Sequence, residues 1–441
     1  MNIPNKGSSL KLLCLASLPV ILIGCGGGSS SSGPEFVAKK DAFDVLEARQ
    51  VTLKGLSVGG DLYTEIDWGD GTVEEIRYSY DHYSHDYDGS YTGEILLTSH
   101  CYEPCKTTID ISGNVKIDTS GLTNASPTRL KVEQVTEFTG SLSNLPNSVK
   151  ELDIDAELLE GDLADLPSSL TSLSLRNRNN QGTISGNIAS LPSSITYLSL
   201  DSTEDFVGSL ADLPSSIKSV YIDKNTLSGS LSELSRSIEW LRIGNASLTY
   251  QGDELGDLPP NLISLDLYNW TVTGDISALP RTLTHLNIRD GNAVYGTISE
   301  LPTSLTSLTL GNGFTLTGMY SELPRKLTSL SFGEDVTISG SMGDLPSTLT
   351  SFSWDDATPP DQWVTKLPNG LGRILLDSKT ETFASDYVDS ILSVLDANGL
   401  SSSNSHSSLN VHLTGNMMEP ATDTGAIDSL TSKGWTVNVK S

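Results

Sequence analysis

The chain of 441 residues is poor in positive charge, with 27 Lys and Arg against 55 Asp and Glu and a formal net charge of −28 at pH 7. Such a surface repels phosphate backbones and anionic headgroups, which argues against nucleic acid as a partner and for solubility or association with cations. Aromatic residues are 6% and all hydrophobic residues 37% of the chain, enough for a narrow core only. There are only four cysteines, Cys14, Cys25, Cys101 and Cys105. The one strongly apolar run, residues 12–24, "LLCLASLPVILIG", is too short to span a bilayer as a helix. There is no G-x-S-x-G elbow, no H-E-x-x-H, no phosphate loop and no dinucleotide fingerprint. With six histidines and nothing spaced for catalysis, neither an enzyme nor a cofactor is expected.

What the chain has instead is repetition. "LPSSLTSLSL" at 166–175 returns as "LPTSLTSLTL" at 301–310. Counting the first Leu as position 0, copies begin at Leu145, Leu166, Leu191, Leu213, Leu234, Leu258, Leu279, Leu301, Leu323, Leu345 and Leu367. Apolar residues recur at +4, +7 and +9, and a Gly recurs at −5 in nine copies, from Gly140 to Gly340. A phrase that holds while its spacing drifts around 22 residues predicts a solenoid. The alternation at +7 and +9 predicts one short strand per copy with one face buried.

The L-P-x-x-L-x-x-L-x-L phrase resembles the short bacterial variant of the leucine-rich repeat family, and "NTLSGSL" at 225–231 is similar to its plant-type form. The resemblance implies a curved parallel sheet with one strand per repeat. The family's buried Asn falls at +12, where this chain has Asn225 but otherwise residues such as Arg178, Trp270 or Gly313. The expected Asn ladder is therefore missing, which puts regular curvature in question. The Ser-, Thr- and Gly-rich stretches between strands predict turns and extended segments, with little α-structure over 127–376.

Lys6 and Lys11 precede the apolar run, and Leu22-Ile23-Gly24-Cys25 resembles the lipobox of bacterial lipoproteins. That resemblance implies removal of residues 1–24 as a signal peptide and lipidation, such as palmitate, on Cys25. Gly26, in place of a retaining Asp, implies the outer membrane, and residues 25–41 read as a lipidated flexible tether. Outside the cytoplasm, Cys101 and Cys105 in "HCYEPC" read as a disulfide across a Glu-Pro turn, or as a metal half-site without a second pair.

Residues 42–116 resemble the polycystic-kidney-disease (PKD) type domain, an Ig-like β-sandwich, through Trp68 to Thr72 and His100 to Pro104, with Cys105 in the family's Gly slot. Asp67 and Asp70 cap the turn between two strands or touch a cation. The stretch 77–93, with five tyrosines, reads as a loop: a contact surface, a solvated hairpin tip, or a metal site at His82 and His85 with Asp81 and Asp86.

The organisation read from the sequence is thus mainly β: a PKD-like β-sandwich, a solenoid of about 11 repeats over 117–382, and a small α/β cap over 383–441. In the cap, Ser385 as N-cap and Gly399 as stop bracket a helix with Val388, Ile391, Leu392 and Leu395 on one face, and Ala426 to Leu430 suggests a second. Residues at +6, +8 and +10 face outward from the sheet. In the end repeats they are mostly small, but centrally they are Tyr197, Tyr221, Trp240, Arg242, Asp266, Tyr268, His285, Asn287 and Arg289. Trp, Tyr and Arg dominate binding energy once buried by a partner. The expected function is a monomeric, lipid-anchored surface protein that binds a protein or glycan ligand there, in adhesion or recognition. An enzyme or enzyme partner acting on surface polysaccharide, or an envelope spacer, are the other readings.

Overall fold

The computed structural model describes residues 36–54, 63–76, 82–102, 105–155, 158–176, 183–201, 206–223, 227–244, 253–268, 270–356, 359, 363–405 and 408–440. The expected signal peptide, Cys25, Asp81, Arg178 and Asn225 lie outside them.

The described residues are mainly β, with one long and mostly parallel sheet and few helices. Strands of the repeats pair in register from one copy to the next. Tyr197–Asp201, for example, lies between Ser172–Arg176 and Ser219–Asp223, with Leu198 opposite both Leu173 and Val220. The +7 and +9 side chains are almost wholly buried, while +6 and +8 remain partly open. A second row of short parallel strands, such as Leu158–Asp162 with Thr183–Asn187, forms the opposite wall. Between the walls the phrases turn through 3-10 segments, and no α-helix is found among the described residues of 127–376.

Each turn is written in the sequence. All nine recurrent glycines have positive φ, a region that costs any other L-residue. At Gly186 a Cβ would also stand 2.8 Å from Asp162 Oδ1 and 2.9 Å from Leu163 N, so the backbone of one repeat lies against the turn of the repeat before it. The residue after the Gly caps the 3-10 segment, and an acid three further on often returns the bond. Asp165 accepts from Asp162 N at 3.2 Å, Asp212 from Ser209 N at 2.8 Å and Asp257 from Glu254 N at 3.1 Å.

A ladder of hydroxyls links most repeats at the entry of their strands. At +3, Ser216 Oγ donates to Ile195 O at 2.6 Å and Ser304 Oγ to Leu283 O at 2.5 Å. Ser169, Ser194, Ser237, Thr282 and Thr348 do the same to their preceding repeats. Consecutive N–H groups also share one carbonyl of the repeat before, as Thr306 and Ser307 share Thr284 O at 2.8 and 3.1 Å. In the main sheet the strands stack residue for residue, as from Ser264 through His285 to Ser307. The signal for this ladder is already in the phrase, the hydroxyl at +3.

Before the repeats, five strands form an antiparallel sheet: β1 Phe36–Leu53, β2 Tyr63–Asp67, β3 Val73–Ile76, β4 Tyr83–Tyr102 and β5 Thr108–Asp118. They pair in the order β3-β2-β4-β1-β5, and β5 then pairs parallel with β6, Arg129–Ser141. The antiparallel sheet therefore runs directly into the first repeat. The expected loop at 77–93 is corrected here: from Tyr83 onward it is strand, because β4 finds a full-length partner in β1 through pairs such as Val51 with His85. Residues 77–81 are not described.

At the far end, α1 Ser385–Ala397 packs on α2 Thr424–Ser432, and Val388, Ile391, Leu392 and Leu395 are buried as the periodicity predicts. The N-cap is Ala384 rather than Ser385, whose N–H instead donates to Glu419 Oε2 at 2.9 Å. Strands Arg373–Asp377, Asn410–Thr414 and Thr436–Val439 extend the parallel sheet to the C-terminus.

Candidate ligand-binding face

The nine central residues stand on the open side of the main sheet, brought there by register alone. Tyr197 and Tyr221 are on adjacent strands with ring centroids 5.5 Å apart and planes tilted by 38°. Trp240 and Arg242 share the next strand, Trp240–Gly244. Asp266 and Tyr268 follow on Ser264–Tyr268, then His285, Asn287 and Arg289 on the strand beginning at His285. The structure thus gathers all nine on consecutive strands, partly or fully exposed.

At the centre is a compact polar knot. Tyr268 donates its hydroxyl to Asp266 Oδ2 at 2.5 Å, and Arg242 Nε lies 4.0 Å from the same oxygen. Arg242 and Arg289, from the strands on either side, each hold their guanidinium carbon 5.0 Å from the Tyr268 ring centre, within the range of cation–π attraction. Burial, then the bond to Asp266, raises the Tyr268 hydroxyl above the usual tyrosine range, and burial does so for Tyr221. Both phenols therefore stay neutral donors at neutral pH. Asp266 Oδ1 and Asn287 Oδ1, on residues directly opposite one another, are shielded and have no hydrogen-bond partner. His285 Nδ1 is 2.8 Å from Thr284 Oγ1.

The N-terminal repeats depart from the expectation of small outward residues. Arg176 donates to Asp153 at 2.6 Å and Asp155 at 2.8 Å, and Lys131 pairs with Glu133 at 2.9 Å. Burial alone would lower the Arg176 guanidinium, but its bonds to Asp155 and Asp153 more than offset this and raise it. Beside this network Asp110 is 9% exposed, and its Oδ1 has no partner. Burial raises its carboxyl above the usual range, against the pull of Lys131 and Lys54. Toward the C-terminal end, Asp355, in the turn after the strand Ser351–Trp354, is held by Lys379 at 2.8 Å. Charge pairing across strands at non-adjacent sequence positions leaves no local signal, which is why this network was not expected.

Sites expected in the antiparallel sheet fall as follows. Asp67 and Asp70 accept from Gly69 N and Thr72 N, both at 3.0 Å, so both cap the turn. His85 stacks on Trp68 with centroids 5.0 Å apart and meets Asp70 Oδ2 at 2.7 Å; this bond, with that from Thr72 N, lowers the Asp70 carboxyl. Asp86 accepts from Gln50 at 2.7 Å. Among the described residues no three His, Cys, Asp or Glu stand together as a metal-ligand set. Cys101 and Cys105 form a disulfide with Cα atoms 5.6 Å apart. No described helix is long and apolar enough to cross a membrane.

The fold and face together define a parallel-strand β-solenoid with an aromatic and charged surface on its main sheet. No family model matches the chain, and no curated protein does. Among solved structures it is similar to PEPR1 with AtPEP1 (18% identity, 64% of this chain and 53% of that one, TM-score 0.37). It is also similar to the plant peptide hormone receptor RGFR1 in complex with RGF2 (15% identity, 76% and 70%, TM-score 0.37). A third is CroV588, a circular LRR protein (20% identity, 62% and 55%, TM-score 0.31). These are leucine-rich-repeat proteins with a parallel-strand sheet. The chain spans about half the length of PEPR1.

Proposed function

We propose that the chain is a lipid-anchored cell-envelope protein that binds a ligand through the concave face of a leucine-rich-repeat solenoid. In this reading Cys25 carries the lipid at the outer membrane, residues 42–116 are a PKD-like domain, and 383–441 cap the stack. The protein is a monomeric binder, acting in adhesion or surface recognition, and not an enzyme. One observation carries the binding reading. The outward row is dominated by Ser and Thr toward the C-terminal repeats, yet over five repeats it becomes Tyr, Trp, Arg, Asp, His and Asn on consecutive strands. Large amphipathic rings kept partly in water do little for stability and suit a partner that covers them.

The test is retention of the labelled full chain on intact cells and on their extracted surface polymers. A Tyr221, Trp240 and Tyr268 triple-Ala variant should bind at least about tenfold more weakly, since each ring contributes on the order of a kcal/mol or more when buried. Equal binding by both proteins, with unchanged circular dichroism, overturns the assignment and moves the search to the tyrosines of 77–93.

A further inference from the structure

We infer that the ligand of this face is a neutral polysaccharide, held by the rings of Tyr197, Tyr221 and Trp240 and by neighbouring sugar hydroxyls that donate to Asp266 and Asn287. The inference rests on the ligand-binding reading above and narrows it to a chemical class.

The first support is a need for donors. Asp266 Oδ1 and Asn287 Oδ1 are shielded acceptors without a hydrogen-bond partner, and buried polar atoms are rarely left so. Their residues stand directly opposite one another on neighbouring strands, so the two needs lie side by side. Hydroxyls on adjacent carbons of one sugar can meet both. Arg289 beside them is exposed and re-orients within nanoseconds, so it can make way for an entering ring.

Charge is the second support. The three strands that begin at Trp240, Ser264 and His285 carry Arg242 and Arg289 against Asp266 and Asp290, and these formal charges cancel. On a chain of −28 this leaves no local excess of positive charge to hold a polyanion, which the acids elsewhere repel. A cationic group meets the opposite obstacle at the unmet acceptors. The guanidiniums of Arg242 and Arg289 both stand 5.0 Å from the ring of Tyr268, whose hydroxyl bonds Asp266. A sugar hydroxyl carries no charge and both donates and accepts, so it suits carboxylate, amide and guanidinium alike.

The third support separates a glycan from a peptide. Tyr197, Tyr221 and Trp240 stand on three successive strands, which are about 4.8 Å apart in a sheet. A polysaccharide crossing the strands advances by roughly one such spacing per pyranose, so each ring can meet the C–H face of one sugar. Side chains on one side of an extended peptide recur about every 6.6 Å and fall out of step with the strands it crosses. All three rings are partly in water, apolar bodies with polar tips, and a sugar has the same mixed character.

The full chain in detergent micelles, immobilised for interferometry, tests this with four neutral polymers (dextran, mannan, galactomannan and laminarin) and two acidic ones (polygalacturonate and poly-L-glutamate). At least one neutral polymer should bind, and both acidic ones at least about tenfold more weakly. About tenfold more salt should change the neutral affinity by less than about twofold, since no charge pair is screened. Asn287→Leu, which deletes one acceptor, should remove about tenfold of that affinity. Trp240→Ala should remove about tenfold as well, and Trp240→Phe should restore part of it. Failure of all four neutral polymers overturns the proposal, as does equal binding of an acidic one or full affinity in Asn287→Leu. Retention of extracted cell polymers should survive protease treatment. If it is lost to protease, or if it depends on Tyr221, Trp240 and Tyr268 while the neutral polymers fail, the ligand class is wrong and the face stands. If the triple variant retains everything, the face itself is wrong.

Discussion

Trp270 donates its indole N–H to Asp253 Oδ2 at 3.0 Å, inside the wall opposite the main sheet, where the two residues are 4% and 0% exposed. Trp270 occupies the slot where an Asn was expected, and Asp253 also accepts from Ser230 Oγ at 2.5 Å and Leu231 N at 3.0 Å. One buried carboxylate thus stitches three segments together. Asp253→Ala should destabilise the protein by about 3 kcal/mol, because it orphans three donors at once. Asp253→Asn keeps the shape and part of the bonding and should cost less. Urea unfolding midpoints of the two variants decide, and equal midpoints would show that the bonds do not matter.

The hydroxyl ladder predicts small, repeated losses. Ser304→Ala removes donations to Leu283 O and Arg281 O and should cost about 1 kcal/mol. Combined with Ser216→Ala, several repeats away, the losses should add. Thermal denaturation of both single variants and the pair checks this.

Asp110 sets a pH dependence. Burial raises its carboxyl above 3.8, so the native chain holds the proton more tightly than the unfolded one. Its contribution is therefore most favourable below pH 4, and stability declines as pH rises from there through the native value. Asp110→Asn should flatten that decline and leave the protein more stable at pH 7. Unfolding midpoints at pH 3.5, 5 and 7 give the slope; an unchanged slope in the variant removes the assignment.

The proposed anchor predicts a change of fraction rather than of fold. Cys25→Ser should move the protein from the membrane pellet to the soluble fraction. A single acyl chain binds membranes only marginally, so mass analysis of the mature N-terminus should show more than one chain. Sedimentation of the variant with membranes would refute lipid anchoring at Cys25.

Much of the fold was legible because its determinants are local and recur. Leu at 0, +4, +7 and +9 sets the inward row, Gly at −5 sets the turn, and acids at −1 close it, as at Asp165, Asp212 and Asp257. The helix 385–397 followed from one apolar stripe, while its N-cap was misplaced by one residue because Glu419, 34 residues away, takes the Ser385 N–H. The length of β4 was not legible. Its polar, tyrosine-rich start carries no alternating apolar pattern and is strand only because β1 lies beside it.

The sequence by itself determined the repeat, its strand, and which side chains face out, since a period-2 strand inside a fixed phrase leaves no choice. That includes Tyr197 through Arg289 lying in one row. The tertiary structure decided what those residues do to each other. Stacking puts strands about 4.8 Å apart, so residues twenty or more positions distant become neighbours. Only there does Tyr268 come between two arginines, does Arg176 reach Asp153 and Asp155, and does Asp253 find Trp270. Burial and pairing energies depend on distance in space, which the phrase fixes along the chain but not across it.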